Sequence, residues 1–558
     1  MIELMGFHGI VPRQILSNLK LGYAEVAHDV RLWHGTIEPW REPLAVERVA
    51  PNTQTIHQWG CCWYSWDKCV EVAEWTVSCP RLYVTGDKPY PAVYPLYNDC
   101  TTGCGQRDHI RLGVPAPTSA IRATALPVVA HDPNSTTANA ESREGRAYLY
   151  TYVNCLGEEG PPSYPSNEVV TDDGAQVTLT GFTNAPPEYG VEEIRIYRRV
   201  TGFIGEQEAM TSAGHMSDYF HVGTIAADGL SFVDDLANVD ALGDILPSLE
   251  YLSPPAELRG ITAIDNSMIL AGFVGNTLMF SVNNQPWNWP ESHRYDLDDN
   301  IVALANVGGS LLVLTDGHPY TVALNLGSVD GHHEPVRHVY PMPMITCCSD
   351  RGVVATAIGA FFVTSRGVAL MGESGPPTLI TSTWFAQDDW RRLKPETMRL
   401  GYYDGALFIV SDSEAFILFL DTNTYGAPDN HRLTTISDRP RMMHVGRNGE
   451  LFLLSDDGVV QQWDSGDTLR PYRWKSAHLR TGSWRYFGAF RLWADSAVDL
   501  TIFAEDKAVY SAKVLTNEAY RLPFYGHHLR QAVQFTGTGR IESLELALDR
   551  RGLSRAGV

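Results

Sequence analysis

Residues 399–410 read RLGYYDGALFIV, two apolar strands joined by an Asp-Gly turn. Asp404 and Gly405 supply the positive-φ positions that a two-residue hairpin needs. The order of strand, tight turn and strand recurs every ~40–50 residues, a period typical of β-propeller blades. Five units are visible, at residues 261–280, 301–322, 353–370, 399–420 and 443–463. We therefore predict a propeller over residues 256–480; a plain meander or a series of sandwiches is the alternative.

The pattern on either side of these repeats is also that of a β protein. Alternating strands with turns between them predict a fibronectin-III-like β-sandwich over residues 146–250. Residues 119–145, poor in large apolar side chains, read as a linker. Residues 1–118 then form an N-terminal β platform domain, and residues 481–558 a β segment that closes the propeller or the platform. Helical patterns are confined to residues 21–28 and 387–393, so the fold class is mainly β.

Composition narrows the function classes. The 558 residues carry 65 acidic and 43 basic side chains, a formal charge of −22. That balance argues against a protein that grips nucleic acid by neutralising phosphates, but permits one that lets nucleic acid slide past. No run approaches the ~18 apolar residues of a membrane helix, and the first residues do not read as a secretory signal.

Sequence motifs for chemistry are scarce. The chain has no phosphate-binding glycine loop ending in Lys-Ser/Thr, no His-Glu-x-x-His and no Gly-x-Ser-x-Gly. Three groups could ligate a metal but read better as solvated loops, a turn or reduced thiols, so we predict no metal and no cofactor. They are Asp330, His332, His333, Glu334 and His338; Asp296, Asp298, Asp299 and Asn300; and Cys100 with Cys104.

Aromatic side chains keep a second function class open. Propeller folds host glycosidases and lyases, and aromatic rings can stack on sugars. Trp59, Trp63, Tyr64, Trp66 and Trp75 could do so, although core and interface packing is the commoner role. The alternative is thus a propeller protein that binds or degrades glycans at a host surface; a host-binding adhesin with a sandwich adaptor is a third reading.

Several motifs, in order along the chain, are similar to virion tail proteins of short-tailed bacteriophages. The first block contains Phe7-x-Gly9-Ile10-x-Pro12-Arg13, Ala24-x-x-Ala27-x-Asp29-Val30, Trp66-Asp67, Arg81-Leu82-Tyr83-Val84-Thr85-Gly86-Asp87 and Arg111-Leu112-Gly113-Val114-Pro115. Further motifs are Tyr150-Thr151-Tyr152-Val153, Gly157-Glu158-Glu159-Gly160-Pro161-Pro162, Leu270-Ala271-Gly272-Phe273 and Leu314-Thr315-Asp316-Gly317-x-Pro319-Tyr320. They cover the chain to about residue 370. The sequence resembles the tail tube or nozzle proteins, also called tail tubular protein B-like.

The resemblance implies a structural virion protein rather than an enzyme. It implies a ring of six or twelve identical chains below the portal and adaptor, with tail fibres and the host cell envelope as further neighbours. Double-stranded DNA would pass through the ring without specific binding. The protein would reside in the phage tail after assembly in the host cytoplasm, and tube and nozzle positions both remain open.

A conduit for DNA needs a wall that repels phosphates, because each basic contact would add an attractive step. Acidic residues in turns are the candidates for the lumen: Asp298, Asp299, Asp388, Asp389, Asp456 and Asp457. Trp66 and Tyr83, in the aromatic first block, are the candidates for contacts between subunits.

Overall fold

The computed structural model describes residues 2–60, 62–76, 80–95, 108–125, 143–172, 174–203, 218–237, 243–264, 268–325, 336–373, 375–420 and 431–553. Nearly all elements in these ranges are β-strands, which confirms the mainly-β fold class. Short 3-10 helices are Leu16–Asn18, Pro187–Tyr189, Glu291–His293, Pro395–Thr397 and Arg550–Gly552. The chain divides into two compact units: unit 1 comprises residues 1–69, 299–323 and 338–558, and unit 2 comprises residues 70–298 and 324–337.

The first strands of unit 1 lie within residues 2–66. They are β1 (Ile2–Met5), β2 (Ala24–His28), β3 (Val30–Arg31), β4 (Glu38–Pro39), β5 (Leu44–Arg48), β6 (Thr55–Trp59) and β7 (Cys62–Trp66). Strands β3 and β4 pair with each other, and β6 and β7 form a hairpin. The other three strands join sheets that are formed by the C-terminal half of the chain.

Unit 2 contains two four-stranded antiparallel sheets of the blade type. The first consists of β8 (Glu71–Trp75), β9 (Arg81–Thr85), β10 (Ala92–Pro95) and β11 (Ile110–Arg111). The first sheet shares one core with the second blade-type sheet of this unit, and the buried side chains of that core include Trp75, Tyr83, Ile261, Leu270 and Trp289.

The described residues of the sandwich in unit 2 form seven strands in two sheets. They are β12 (Arg122–Ala125), β13 (Arg143–Asn154), β14 (Val169–Asp172), β15 (Val177–Thr180), β16 (Val191–Phe203), β17 (Phe220–Ala226) and β18 (Ser231–Asp234). One sheet has the order β12-β15-β18, the other β14-β13-β16-β17. Alternate residues of both sheets, such as Tyr150, Leu179 and Ile196, fill the core between them.

The second blade-type sheet of unit 2 follows the sandwich in the chain. It consists of β19 (Arg259–Ile264), β20 (Ile269–Val274), β21 (Thr277–Phe280) and β22 (Arg294–Asp296). Its first strand contacts β8 and β9 of the other sheet.

Four further groups of strands in the chain follow the predicted repeat. They are β23 (Ile301–Val307), β24 (Ser310–Thr315), β25 (Tyr320–Asn325) and β26 (Val336–Pro341); β27 (Val353–Thr356), β28 (Gly359–Thr364), β29 (Gly367–Met371) and β30 (Thr378–Leu379); β31 (Arg399–Tyr403), β32 (Ala406–Val410), β33 (Ala415–Phe419) and β34 (Arg432–Thr435); and β35 (Met442–Val445), β36 (Leu451–Leu454) and β37 (Val459–Gln462). The single α-helix of the described residues, α1 (Gln387–Arg392), lies where the sequence predicts one.

These groups pack as successive blades do. The first strands β23, β27, β31 and β35 contact one another in that order, and the β6–β7 hairpin follows β35. The last group lacks a fourth strand of its own, and β5 from the N-terminal segment pairs with β37 to complete it. Asp404 and Gly405 have φ values of 46° and 72°, the positive angles that the hairpin signal predicted.

The C-terminal strands complete unit 1. They are β38 (Tyr472–Ser476), β39 (Leu479–Arg485), β40 (Ala489–Ala494), β41 (Val498–Ala504), β42 (Lys507–Val514), β43 (Tyr520–Arg521), β44 (His528–Gly537) and β45 (Ile541–Ala547). One sheet has the order β1-β45-β40-β43. A ten-stranded sheet runs β31-β32-β33-β34-β2-β38-β44-β41-β42, with β39 paired to β44.

This pairing corrects three expectations. Residues 21–28 do not form a helix: Ala24–His28 form β2, because pairing with β38 and β34 outweighs local helix propensity. Residues 1–118 are not one domain, since their strands divide between the two units. Residues 119–145 are not only a linker, because β12 is a sandwich strand; residues 126–142 lie outside the described residues.

Candidate functional site

The first two motifs of the first block lie in a structural element that we call the N-terminal clasp, residues 2–48. Its strand β1 pairs with β45, β2 lies between β34 and β38, and β5 pairs with β37. Phe7 is fully buried and meets the ring of Trp474 edge-on at 5.0 Å between centroids. The clasp therefore joins three C-terminal parts of unit 1 by backbone pairing.

Gly9 shows why the motif needs a glycine. A Cβ atom at this position would lie 1.9 Å from the carbonyl oxygen of Leu433. The backbone is this close because the Ile10 amide donates to that same oxygen, at 2.8 Å. Nearby, the Trp474 indole Nε1 donates to the carbonyl of His8 at 3.0 Å. Any side chain larger than hydrogen would push the clasp away from β34.

A buried charge cluster fixes the end of the clasp. Asp29, in the left-handed region with φ 53°, accepts hydrogen bonds from the backbone nitrogen and hydroxyl of Ser437, at 2.9 and 2.6 Å. The Arg470 guanidinium reaches Asp29 at 3.5 Å, Glu42 at 3.0 Å, and also Asp438. Burial by itself would lower the pKa of Arg470, but the hydrogen bond and charge of Asp438, with Glu42 and Asp29, hold it above its usual value.

Beside this cluster lies an open, mainly polar pocket of about 280 Å³. It lies in unit 1, where the connection from β34 to β35 faces strands β36 and β37. The residues that line it are Ser437, Asp438, Arg439, Pro440, Leu453, Ser455, Asp456 and Gln461. Its polar lining suits a hydroxylated or charged ligand better than an apolar one.

Of the predicted lumen acids, Asp298 and Asp299 precede β23. Asp298 is exposed. Asp299 accepts hydrogen bonds from the backbone nitrogen of His318 at 2.8 Å and from its ring Nδ1 at 3.1 Å. These bonds, the backbone one first, hold the pKa of the Asp299 carboxyl below its usual value. Asp299 thus stays ionised and fixes the turn before β25.

Asp388 and Asp389 lie in the first turn of α1. Each faces an arginine three residues later: Asp388 and Arg391 are 3.9 Å apart, Asp389 and Arg392 3.0 Å. The side chain of Asp388 is 85% exposed, so its charge still reaches solvent. These exposed pairs reduce the local field that the acids would otherwise present.

Asp456 and Asp457 occupy the turn between β36 and β37. The Arg441 side chain approaches the carboxylate of Asp456, which is 86% exposed, at 3.5 Å. Asp457 accepts a hydrogen bond from the Ser455 hydroxyl, which lowers the pKa of its carboxyl. The six acids therefore lie in three separate turns and are not brought together within one chain. A circle of like charges in an assembly stays a prediction.

The two predicted contact aromatics lie inside the chain. Tyr83 has no exposed surface; it packs edge-on against Trp75 at 6.0 Å, and burial raises the pKa of its hydroxyl. Trp66 keeps 7% exposure and stacks on Tyr64 at 6.2 Å. Both rings fill their own unit. Tyr83 offers no surface to a second chain, and its replacement by Ala would open a core cavity.

The aromatic side chains that could stack on sugars also make contacts within the chain. Trp63 packs edge-on against Phe452 at 4.9 Å, and the Arg447 guanidinium lies 3.8 Å above the Trp59 ring. Trp63 thus packs on strand β36 of the last blade-type sheet, and Trp59 on the turn between β35 and β36. Internal packing, the commoner role, is what the structure supports for Trp63 and Trp66.

No group of three or more metal-ligating side chains occurs among the residues that the structure describes. The positions 330–334 and the Cys100–Cys104 pair lie outside them. Cys69, Cys347 and Cys348 are free cysteines, whereas Cys155 is disulfide-bonded, unlike the expectation of reduced thiols. In the part of the chain that is described, no helix is long and apolar enough to cross a membrane.

Sequence reasoning missed the Arg470 cluster. Asp29 and Glu42 are about 400 residues from Asp438 and Arg470, so no spacing in the sequence indicates that they meet. The only signal in the sequence is that Asp29 belongs to the motif Ala24-x-x-Ala27-x-Asp29-Val30. The sequence does not show that Asp29 adopts a positive φ, which is uncommon for a residue other than glycine.

Comparisons with known proteins add no family. No protein-family model and no curated protein matches the chain. Among solved structures, the extracellular domain of a one-component system from B. thetaiotaomicron is 10% identical with a TM-score of 0.28, covering 88% of this chain and 49% of that one. The chain thus spans about half the length of that protein. An exo-β-1,3-galactanase from Phanerochaete chrysosporium, solved with β-1,3-galactotriose, is 9% identical with a TM-score of 0.19, covering 66% of this chain and 100% of that one. Likeness at these scores carries no conclusion about function.

Proposed function

We propose that this chain is a structural subunit of a bacteriophage tail conduit, a ring of the tail tube or nozzle through which DNA leaves the particle. The observation that carries the proposal is the role of the first two motifs of the first block. Phe7, Gly9 and Asp29 hold strands together in the N-terminal clasp. A motif with this role supports a wall-building protein rather than a catalyst.

The clasp suits a wall that must resist force. Strand β1 runs antiparallel to β45 over four residue pairs, from Ile2 opposite Leu546 to Met5 opposite Ser543. Pulling such strands along their length loads several backbone hydrogen bonds together, so they fail together rather than singly. A tube subunit with its N-terminal segment paired in this way resists opening when DNA passes.

Charge supports the same function. A formal charge of −22 per chain is multiplied around a ring and repels a polyanion. The lowered pKa values of Asp299 and Asp457 keep those two carboxylates ionised at mildly acidic pH. Asp298, Asp388, Asp389 and Asp456, with these two, remain our candidates for the lumen.

The proposal includes defined partners. The chain assembles with five or eleven copies of itself, contacts adaptor or portal-side proteins and tail fibres, and meets the host envelope at the tail tip. It assembles in the host cytoplasm and then resides in the virion. It performs no catalysis and needs no cofactor.

Light scattering of the purified full-length chain tests the proposal. We expect a mass of six or twelve chains, and no retention of linear duplex DNA on the protein at low salt. A monomer at every protein concentration would contradict it. Tight DNA binding that weakens steeply as salt rises would also contradict it, since that is how phosphate-neutralising proteins behave.

A second candidate function rests on the polar pocket of unit 1. Its carboxylates, arginine and Gln461 could hold a saccharide, as a glycan-binding or glycan-degrading tail protein would. Titration calorimetry with oligosaccharides of bacterial surface glycans tests this idea. Gln461→Ala should abolish any binding, and Gln462→Ala is the matched control because neighbouring strand residues point to opposite faces. Binding that is unchanged in Gln461→Ala excludes this pocket.

A further inference from the structure

The charge of the chain is divided unevenly along its length. Residues 471–558 contain thirteen Lys and Arg against eight Asp and Glu, a charge of +5, so the preceding 470 residues carry −27. The sandwich region, residues 143–250, contains eighteen acidic side chains, five arginines and no lysine, a charge of −13. The chain therefore has a basic C-terminal segment and a strongly acidic sandwich.

The basic segment bears an aromatic surface, which we call the C-terminal patch and define by Tyr486, Phe524, His527 and Leu548. The Tyr486 ring lies 5.0 Å from the Phe524 ring and 5.4 Å from the His527 ring, centroid to centroid. Phe524 and His527 are themselves 5.6 Å apart. Three rings thus contact one another at the surface.

Leu548 belongs to the same patch because the backbones converge at Gly488. The Gly488 nitrogen donates to the Ala547 carbonyl at 2.9 Å, and its carbonyl accepts from the Leu522 nitrogen at 2.8 Å. A Cβ on Gly488 would lie 2.1 Å from the Leu548 oxygen and 3.5 Å from Tyr486 Cε2. The chain segments that carry the patch are therefore neighbours in space.

The patch is open to solvent and has a basic edge. Phe524 is 67% exposed and Leu548 is 53% exposed. Arg521, Arg550 and Arg551 are exposed and lie within three residues of Phe524 or Leu548 in the chain, as does the exposed Asp549, so arginines outnumber acids at this edge. Aromatic side chains and arginine are the residues that protein interfaces favour, and grouped exposed apolar side chains mark binding surfaces.

We propose that the C-terminal patch docks on the acidic sandwich of a second copy of this chain; this rests on the proposed ring function and names its subunit contact. The sandwich offers the complementary surface: Leu230 is 80% exposed just before β18 with the exposed Asp228 two residues earlier, and the exposed Asp235 follows the other end of that strand. Because patch and sandwich are different surfaces, the contact is head-to-tail, and such a contact builds a ring when the rotation between neighbouring copies closes on itself.

Light scattering of full-length variants tests the docking. In Phe524→Ala/Leu548→Ala the apolar centre is lost, and in Arg550→Glu/Arg551→Glu the basic edge is reversed. The matched controls come from the same segment: Leu515→Ala, where Leu515 is 68% exposed, and Lys507→Glu/Lys513→Glu on exposed positions of β42. All these side chains are at the surface, so we expect each variant to fold like wild type by circular dichroism.

We expect both patch variants to fall from the mass of the ring to that of a single chain, and both controls to keep the ring.

Adding Asp228→Lys and Asp235→Lys to Arg550→Glu/Arg551→Glu should restore the ring, since the charges are then exchanged. Rings that persist in both patch variants overturn this inference and leave the proposed function standing. Failure of the exchange to restore the ring overturns the sandwich as the acceptor, and a monomeric wild type overturns both proposals.

Discussion

The sandwich of unit 2 and the N-terminal clasp of unit 1 are both built from paired β-strands, but they use the chain in opposite ways. The sandwich takes its seven strands from residues 122–234. The clasp pairs Ile2 with Leu546 and His28 with Thr435, partners that are hundreds of residues apart. The first is a local structure; the second exists only when both ends of the chain are in place.

The two regions also use buried charge differently. In the sandwich, the Arg198 guanidinium and the Tyr148 hydroxyl both donate to Asp234, at 2.8 and 2.7 Å, and Arg146 pairs with Glu144 at 2.5 Å. These ionic groups fasten strands of one small domain. In the clasp, Arg470 instead holds acids from distant parts of the chain. The comparison teaches that each region should fail independently of the other.

The largest expected effect is in the sandwich. Asp234→Ala leaves the buried Arg198 guanidinium without its carboxylate, and losing one partner of a buried pair costs about 3–5 kcal/mol. Hydrogen exchange should show lost protection in β13 and β16 with unit 1 strands unchanged. The neighbouring exposed Asp235→Ala is the control and should leave both protected. Equal loss in both units would show that the regions are coupled.

A smaller effect is expected in the clasp. Gly9→Ala places a Cβ against the Leu433 carbonyl, and overpacking of this kind costs about 1–3 kcal/mol. Amide exchange should accelerate in β2, β34 and β38, while the sandwich strands keep their protection as an internal control. Unchanged exchange in β2 would mean that the clasp does not depend on this close approach.

The smallest effect concerns pH. The pKa of the Asp299 carboxyl is lower in the folded chain than in the unfolded chain. The stability that the ionised carboxylate contributes is therefore complete above the ordinary Asp pKa of about 4, and it is lost as pH falls through the lower pKa of the folded chain. The His318 amide should therefore exchange faster only under acid conditions. In Asp299→Asn this pH response should vanish, whereas in the exposed Asp298→Asn it should remain. An identical response in wild type and Asp299→Asn would rule out the turn contact.

The same comparison explains what the sequence could predict. Local signals were sufficient for the Asp404-Gly405 hairpin, the short helix at residues 387–393 and the strands of the sandwich. They failed for residues 21–28, where two alanines suggested a helix but pairing with β38 decided the strand. Pairing between strands that are far apart in the chain leaves no period in the sequence. The sequence therefore predicts separate domains at the two chain ends, whereas the strands of both ends share sheets.

The candidate site residues also fall into two groups, those that local sequence signals locate and those that only tertiary packing brings together. Acids such as Asp456 lie in the turns that the sequence predicts, because turn chemistry is local. Their position on a lumen stays a prediction. Burial of Tyr83 and the meeting of Arg470 with Asp29 depend on tertiary packing, which spacing does not encode. The C-terminal patch was also missed, since Tyr486 and Phe524 become neighbours only in the folded unit.

Electron cryo-microscopy of the purified full-length chain tests the central claim most directly. The account predicts closed rings around a channel wide enough for duplex DNA, with carboxylates rather than guanidinium groups on its wall. Isolated single chains, or a channel lined by arginine and lysine, would contradict it.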